Sequence, residues 1–254
     1  MAVRSGINRY VEGGPVTTRS DAPRETTEST TSVMTQARPE RAVNGGPPGR
    51  DRTLTGLAVG ALAGTAWFIL GVALMHVLRS DLNPARHTIS EYALGPYGWV
   101  QATNFVAAGV ATACLAAGLR LSLERPGRLG PVLLGAWAVA QVVEAFVHAD
   151  GDGPATAAGA LHVAVSLFGF ACGVAAMFVF ARRFRREPSW RGYARPTRCW
   201  AVAAVAAFLA IPFLGASGAG TGQRIFAAVL GAWLFETARR LRRSAVPAYR
   251  GSRA

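Results

Sequence analysis

Lysine is absent from this chain of 254 residues. Acidic residues number only 14, histidines four and cysteines three, and charged residues make up 16% of the whole. Each shortage excludes something. A soluble basic domain that binds nucleic acid carries about 25% charged residues. The net charge of +13 and the pI near 11.3 therefore do not point to nucleic acid as a partner. Cys114 and Cys172 fall within apolar stretches and Cys199 follows an arginine, so no disulfide framework of a secreted domain is expected. Because every one of the 27 basic residues is arginine, the bias reads as genomic base composition. What is plentiful is apolar: 51% of residues are hydrophobic and the mean hydropathy is +0.25. Residues 55–254 hold 19 arginines against 8 acids among long apolar runs. That combination belongs to a polytopic membrane protein with basic loops.

Residues 1–54 read as a disordered tail. The stretch from Thr17 to Thr35 is rich in Ser, Thr and acids, and Gly45, Gly46, Pro47, Pro48 and Gly49 form a breaker cluster. Such a segment buries too little apolar surface to offset its ordering entropy. It does not read as a secretory signal, because no apolar stretch closely follows the first basic residues. Met34 offers an alternative start, which would leave residues 1–33 untranslated. From Thr55 onward, apolar windows recur near residues 55–78, 97–121, 129–149, 157–181, 196–216 and 221–241. About 20 residues of helix cross a bilayer core of roughly 30 Å. The expected fold is therefore an all-α membrane bundle of six transmembrane helices over residues 55–243, with residues 244–254 as a second tail.

The arginines predict an orientation. Sixteen of them flank the connections after the second and fourth windows or follow the sixth, with seven crowded into residues 182–198. Only Arg79, Arg86 and Arg224 fall on the other side. The positive-inside rule then places both termini in the cytoplasm, as an even number of spans requires. All four histidines fall on the poorly basic side: His76, His87, His148 and His162. Asp81, Glu91, Glu144, Asp150 and Asp152 accompany them. Ionisable groups within a span are costly and need partners. Glu144 and His148 stand four residues apart, so on a continuous third helix they would share one face. With Asp150 and His162 they are expected to form a cluster across the third and fourth helices.

The first loop on that side contains His87-Thr-Ile-Ser-Glu-Tyr-Ala-Leu-Gly-Pro-Tyr-Gly-Trp99. This run closely resembles the signature of the bacterial membrane family called domain of unknown function 998, an Ile-Ser-Glu followed shortly by Gly. Asp150, Thr156, Gly159 and Leu161-His162 resemble that family's second block, and Gln223-Arg224 a third. The resemblance covers about residues 55–240. It implies a small helical bundle in the bacterial cytoplasmic (inner) membrane and says very little about activity.

The residues leave several readings open. Ser90 and Glu91 read as anchors, Ser90 capping the helix into the second span and Glu91 favouring its positive end; a nucleophile and base is the alternative. His87, His148, Asp150 and His162 have the donor chemistry for zinc but match no tight ligand spacing, so a hydrogen-bonded network is preferred. Arg224 is expected in an ion pair with Glu91 or Asp150, with an anionic ligand or snorkelling to the interface as alternatives. Gly56, Gly60 and Gly64, like Gly169 and Gly173, have the spacing of close helix packing, within the bundle rather than between copies. The loop 182–198, with Trp190 and Tyr193 among its arginines, suits anionic lipid. The expected function is a binding or structural role in the cell envelope. Ser90, Glu91, Glu144, Asp150, His162 and Arg224 would line an outward-facing polar pocket. A metal-dependent hydrolase of outer-leaflet lipids is the alternative. A small-solute transporter is a further one, weakened by the lack of a polar path in the cytoplasmic half.

Overall fold

A computed structural model describes residues 48–124 and 127–245. The 1–47 part of the expected tail, the question of residues 1–33, Arg125 and everything beyond Ala245 lie outside the described residues. Among the described residues there is no strand. Six α-helices follow one another: α1 (Pro48–Leu78), α2 (Gly98–Ser122), α3 (Leu129–Glu144), α4 (Ala157–Phe184), α5 (Ala194–Ala210) and α6 (Gly215–Ala245). Short 3₁₀ turns stand at Ser90–Ala93, Arg191–Tyr193 and Ile211–Leu214. Each helix packs on its chain neighbours, and α1 packs on α6, which closes a ring.

Four segments are long and apolar enough to cross a membrane: Gly49–Leu78, Gly98–Ser122, Ala157–Phe184 and Arg191–Ala245. The last contains α5, the 3₁₀ turn and α6, while α3 is apolar but shorter. Only 17% of the apolar window of α1 is buried inside the protein. Trp67, Leu70, Val77, Val139, Phe146 and Phe213 likewise stand exposed. A soluble protein does not leave that much apolar surface in water, so a lipid environment is the natural solvent of these faces.

Glycines bring the helices close where side chains would hold them apart. A Cβ on Gly64 would stand 2.7 Å from the Ala107 carbonyl oxygen, and one on Gly60 would meet Cys114 Sγ at 3.0 Å. Gly71 leaves room for the buried Asn104 amide of α2. Gly169 and Gly173 of α4 face Ala140 and Trp137 of α3. Packing within the bundle is thus the use of these residues, except that nothing lies within 4 Å of a Cβ on Gly56.

Four boundaries differ from the sequence reading; one is the fifth window, expected to reach residue 216, whereas α5 ends at Ala210 and the 3₁₀ turn Ile211–Leu214 follows. Helix α1 begins at Pro48, within the expected tail, where Arg50 donates to the Leu121 carbonyl across the α1–α2 pair at 2.5 Å. Helix α3 ends at Glu144 rather than near residue 149, and Ala145–Val147 form a turn. Hydropathy does not register that break, because Ala145, Phe146 and Val147 are themselves apolar. Helix α6 starts at Gly215, so Gln223 and Arg224 lie more than two turns inside it rather than at its entrance.

At the arginine-rich end, Trp190 and Tyr193 are buried (1% and 5% exposed) and unavailable to lipid. Trp190 stacks on Phe184 at 4.6 Å, Tyr193 bonds Thr237, and Arg240 covers both rings. The loop's aromatics fill core space, because the chain turns there and carries them between α4 and α6.

Candidate functional site

The opposite end of the ring is closed by the segment between α1 and α2, and the recognised motif lies in it. Helix α1 leads to Arg79, which bonds Asp81 at 2.8 Å and also donates to the Leu94 carbonyl. This ties the two ends of the segment together. Gly95 has φ +70° beside the Arg79 guanidinium, a left-handed backbone that glycine adopts without penalty. Within the segment, Glu91 acts as an internal fastener. Its carboxylate accepts from the Thr88 N–H at 2.8 Å, the Thr88 hydroxyl at 2.9 Å and the His87 ring at 2.7 Å. Ser90 does not cap α2, which begins eight residues later; it starts the separate 3₁₀ turn.

Helix α6 holds this segment from beneath. Gln223 Oε1 accepts from the Ile89 N–H at 2.6 Å. Arg224 donates to the Pro84 and His87 carbonyls at 2.7 Å each, to His76 Nε2 at 3.2 Å and to the Tyr92 hydroxyl at 3.0 Å. Its guanidinium also lies over the Tyr92 ring. His76 donates through Nδ1 to the Val72 carbonyl at 2.6 Å, which sets its Nε2 as the acceptor for Arg224. The expected ion pair of Arg224 with Glu91 or Asp150 is not formed. Both carboxylates are engaged locally, and the guanidinium fork suits several fixed carbonyls at once.

The second motif block fastens the α3–α4 connection. Asp150 accepts from the Thr156 hydroxyl at 2.5 Å and its N–H at 2.9 Å, and Thr156 caps α4 by accepting from the Gly159 N–H at 3.0 Å. Gly159 has no Cβ because the Asp150 carboxylate occupies that place. His162 donates through Nδ1 to the Val147 carbonyl at 2.7 Å, pulling the turn after α3 onto α4. Glu144 instead accepts from Ser166 at 2.5 Å. His148 stands exposed beyond the helix end, so the shared face with Glu144 is lost. Among the described residues no three His, Cys, Asp or Glu side chains come together as metal ligands. The zinc candidates His87, His148, Asp150 and His162 are not gathered into one group.

Between these fastened ends lies a cavity inside the ring, with about 70 Å³ accessible to the centre of a water-sized molecule. That is room for on the order of five waters. Its roof is Ile89 and Ser90. Most of its wall is apolar, including Phe68, Phe105, Phe170, Leu230 and Leu234. The polar part is a stripe on α3 formed by Trp137, Gln141 and Glu144, faced by Gln223 of α6 and Thr65 of α1. Of the six residues expected to share a pocket, only Ser90 and Glu144 line this one; Glu91, Asp150, His162 and Arg224 hold its surroundings. Trp137, Gln141 and Gln223 are pocket residues the sequence reading missed. The spacing i, i+4, i+7 of Trp137, Gln141 and Glu144 on one helix face was the available signal.

The carboxylates of the two fastened loops are tuned toward their charged forms. The Arg79 hydrogen bond holds Asp81 below the usual carboxylate range, and the Thr156 hydroxyl does the same for Asp150. Burial opposes the Glu91 charge, but the Thr88 N–H, the His87 ring and the Thr88 hydroxyl outweigh it, and its pKa is lowered. A carboxyl group whose pKa is lower folded than unfolded stabilises the fold above its unfolded value, about 4.3. That contribution is lost as pH falls through the folded value. Melting of detergent-solubilised Glu91→Gln should therefore lie below wild type at pH 7 and converge on it in strong acid. A constant difference over the whole range would contradict the assignment.

Comparison with known proteins agrees with the motif blocks. A family described as "Protein of unknown function (DUF998)" matches residues 62–240, and neither a curated protein nor a solved structure matches the chain. The match runs from the middle of α1 to near the end of α6, including the roof segment, the α3–α4 connection and the α6 fasteners, and on that basis the chain belongs to the DUF998 family of membrane proteins of unknown function.

Proposed function

We propose that all six helices cross the bacterial cytoplasmic membrane with both termini inside, and that the central cavity holds a small amphiphilic molecule on the outward side. The role is binding in the cell envelope. The observation that carries it is the cavity itself: an apolar chamber with Trp137, Gln141, Glu144, Ser90 and Gln223 on its polar side, roofed by the motif segment. Ligand sites are built this way, mostly apolar with a few placed polar groups. The topology is supported by the arginine asymmetry. Helix α3 is about 24 Å long at 1.5 Å per residue, and the turn at residues 145–147 extends its reach toward the outer surface.

A second site has its own support. Arg182 of α4, Arg185 just beyond its end, and Arg195 and Arg198 of α5 line an open groove of about 500 Å³ together with Phe178 and Ala181. Four cations beside apolar side chains at the inner interface suit the phosphate of an anionic lipid.

Native mass spectrometry of protein released from its own membranes tests both sites. An adduct that disappears in Ala227→Phe, which fills the cavity, is expected, and a separate anionic-lipid adduct that weakens in the Arg195→Gln, Arg198→Gln double variant. Adducts unchanged by either variant would sink the corresponding site. Reporter fusions after Arg185 should read cytoplasmic and after Asp152 external; the reverse would overturn the orientation.

A further inference from the structure

The arginine groove continues into a second groove along the same two helices. Phe178 lines both. The second groove has a volume of about 420 Å³, and every residue lining it is apolar. Ala171, Val174 and Ala175 of α4 and Val205 of α5 contribute short side chains, which leave a trough between the helices. Leu167, Phe178 and Leu209 are 49%, 40% and 59% exposed, so the trough opens toward lipid. Phe170 and Phe208 line it as well, with Phe226 of α6 lying 4.9 Å from the first ring and 5.3 Å from the second. From Leu167 to Arg185 the lining residues recur at three- and four-residue spacing, the mark of one helix face. The rise from Leu167 to Phe178 is about 16 Å at 1.5 Å per residue. That is about half of a hydrocarbon core of roughly 30 Å, the depth of one leaflet.

The charges at the basic end ask for an anion. Arg182, Arg185, Arg195 and Arg198 are exposed, and among the described residues no carboxylate pairs with any of them. Four like charges gathered in one groove repel one another until an anion joins them. The guanidinium fork suits phosphate oxygens. A free phosphate or an acidic peptide would use the arginines and leave the apolar trough empty of anything specific. An uncharged lipid would use the trough and leave the cations uncompensated. A phospholipid with an anionic head meets both demands with one molecule, because its acyl chains begin beside the phosphate. Between lipid and protein the gain in the trough comes from close packing, since bulk lipid tails are as apolar as the groove.

We infer that one anionic phospholipid of the inner leaflet is held here by head and tail, its phosphate among Arg182, Arg185, Arg195 and Arg198 and one acyl chain along the α4–α5 trough toward Phe170. This rests on the reading of the arginine groove as a lipid-phosphate site and adds the chain to it. The test titrates delipidated full-length protein in detergent and counts bound lipid by native mass spectrometry. The probes are dioleoyl-phosphatidylglycerol and dioleoyl-phosphatidylcholine, which share their chains and differ in head charge. The anionic lipid is expected to bind about tenfold more tightly. The Arg195→Gln, Arg198→Gln double variant should abolish that preference and leave phosphatidylcholine unchanged. Ala175→Phe, which puts a ring into the trough, should weaken both lipids about tenfold and keep the preference. Ala171→Phe at an exposed position of the same trough should do likewise, and serves if the first variant fails to fold. Ala63→Phe, on an exposed face of α1, should change neither lipid. If both trough variants leave binding intact while the arginine variant abolishes the preference, the chain does not lie in the trough and the headgroup site alone stands. A preference that survives the arginine variant would overturn the headgroup reading and this inference with it. Equal weakening by Ala63→Phe would reveal only the ordinary lipid coat and overturn the inference.

Discussion

Arg224→Ala should be among the most destabilising single substitutions in this chain. The guanidinium holds the Pro84 and His87 carbonyls, His76 and Tyr92 at once. Hydrogen bonds from a charged donor are worth about 1.5–3 kcal/mol each, and groups left without partners add their own cost. These contributions are not additive, so a total of about 3–5 kcal/mol is expected. At roughly 2–4 °C per kcal/mol for a chain of this size, the melting temperature should fall by about 6–20 °C. Arg224→Lys should restore less than half of the loss, because one ammonium cannot span carbonyls, ring nitrogen and hydroxyl in the geometry of the fork. A thermal melt in detergent measures this. A cysteine placed at Ala85, labelled from outside intact cells, should react faster in the alanine variant as the roof loosens. A fall under about 2 °C would show that the segment is held without Arg224.

Gly220→Ala should do comparable damage by a different route. A Cβ there would overlap the His87 carbonyl and stand 2.5 Å from that of Pro84. Both obstacles are backbone, and both are pinned by Arg224 one turn further along α6. The backbone at this junction is also bonded directly, Thr221 N–H to the Ala85 carbonyl at 3.1 Å. Neither side can yield without lifting the roof from the helix. Overpacking costs about 1–3 kcal/mol or more, offset by about 1 kcal/mol of better helix propensity. A net loss of about 2 kcal/mol is expected. Gly56→Ala, where nothing lies within 4 Å, receives only the propensity term and should be neutral or slightly stabilising. Since Gly220 and Arg224 serve one junction, the double variant Gly220→Ala, Arg224→Ala should lose less than the sum of the two. Strict additivity would mean that the two residues act on separate structures.

The motif residues acquire a common meaning from these contacts. Glu91, Asp150, Thr156, His162 and Arg224 are spent on tying loops to helix ends. The cavity they surround is lined by less conspicuous residues. Reading Arg224 as the partner of an acid was reasonable from sequence, since an arginine near a membrane helix usually seeks one. It failed because carbonyls of an irregular segment also need donors, and nothing in the residue types says where a loop's carbonyls will lie. The proposed cluster of Glu144 with His148 failed for a related reason. Apolar residues continue past Glu144, but the helix does not, and the His162 bond to the Val147 carbonyl draws the chain aside.

By itself the sequence determined that this chain is an all-helical membrane protein and roughly where the helices lie, because the need to satisfy every backbone group in lipid leaves long apolar runs few other solutions. It also marked the residues that fasten the two loops. The cavity was decided only by the tertiary structure. Its polar wall draws on α3, α6, α1 and the roof segment, elements widely separated along the chain, and a polar face directed inward looks the same in sequence as one directed at a neighbouring helix. Ring closure by α1 against α6 settled which it was, since that contact brings Thr65 and Phe68 of α1 and Gln223 of α6 to the same half-open space that Trp137 and Gln141 line.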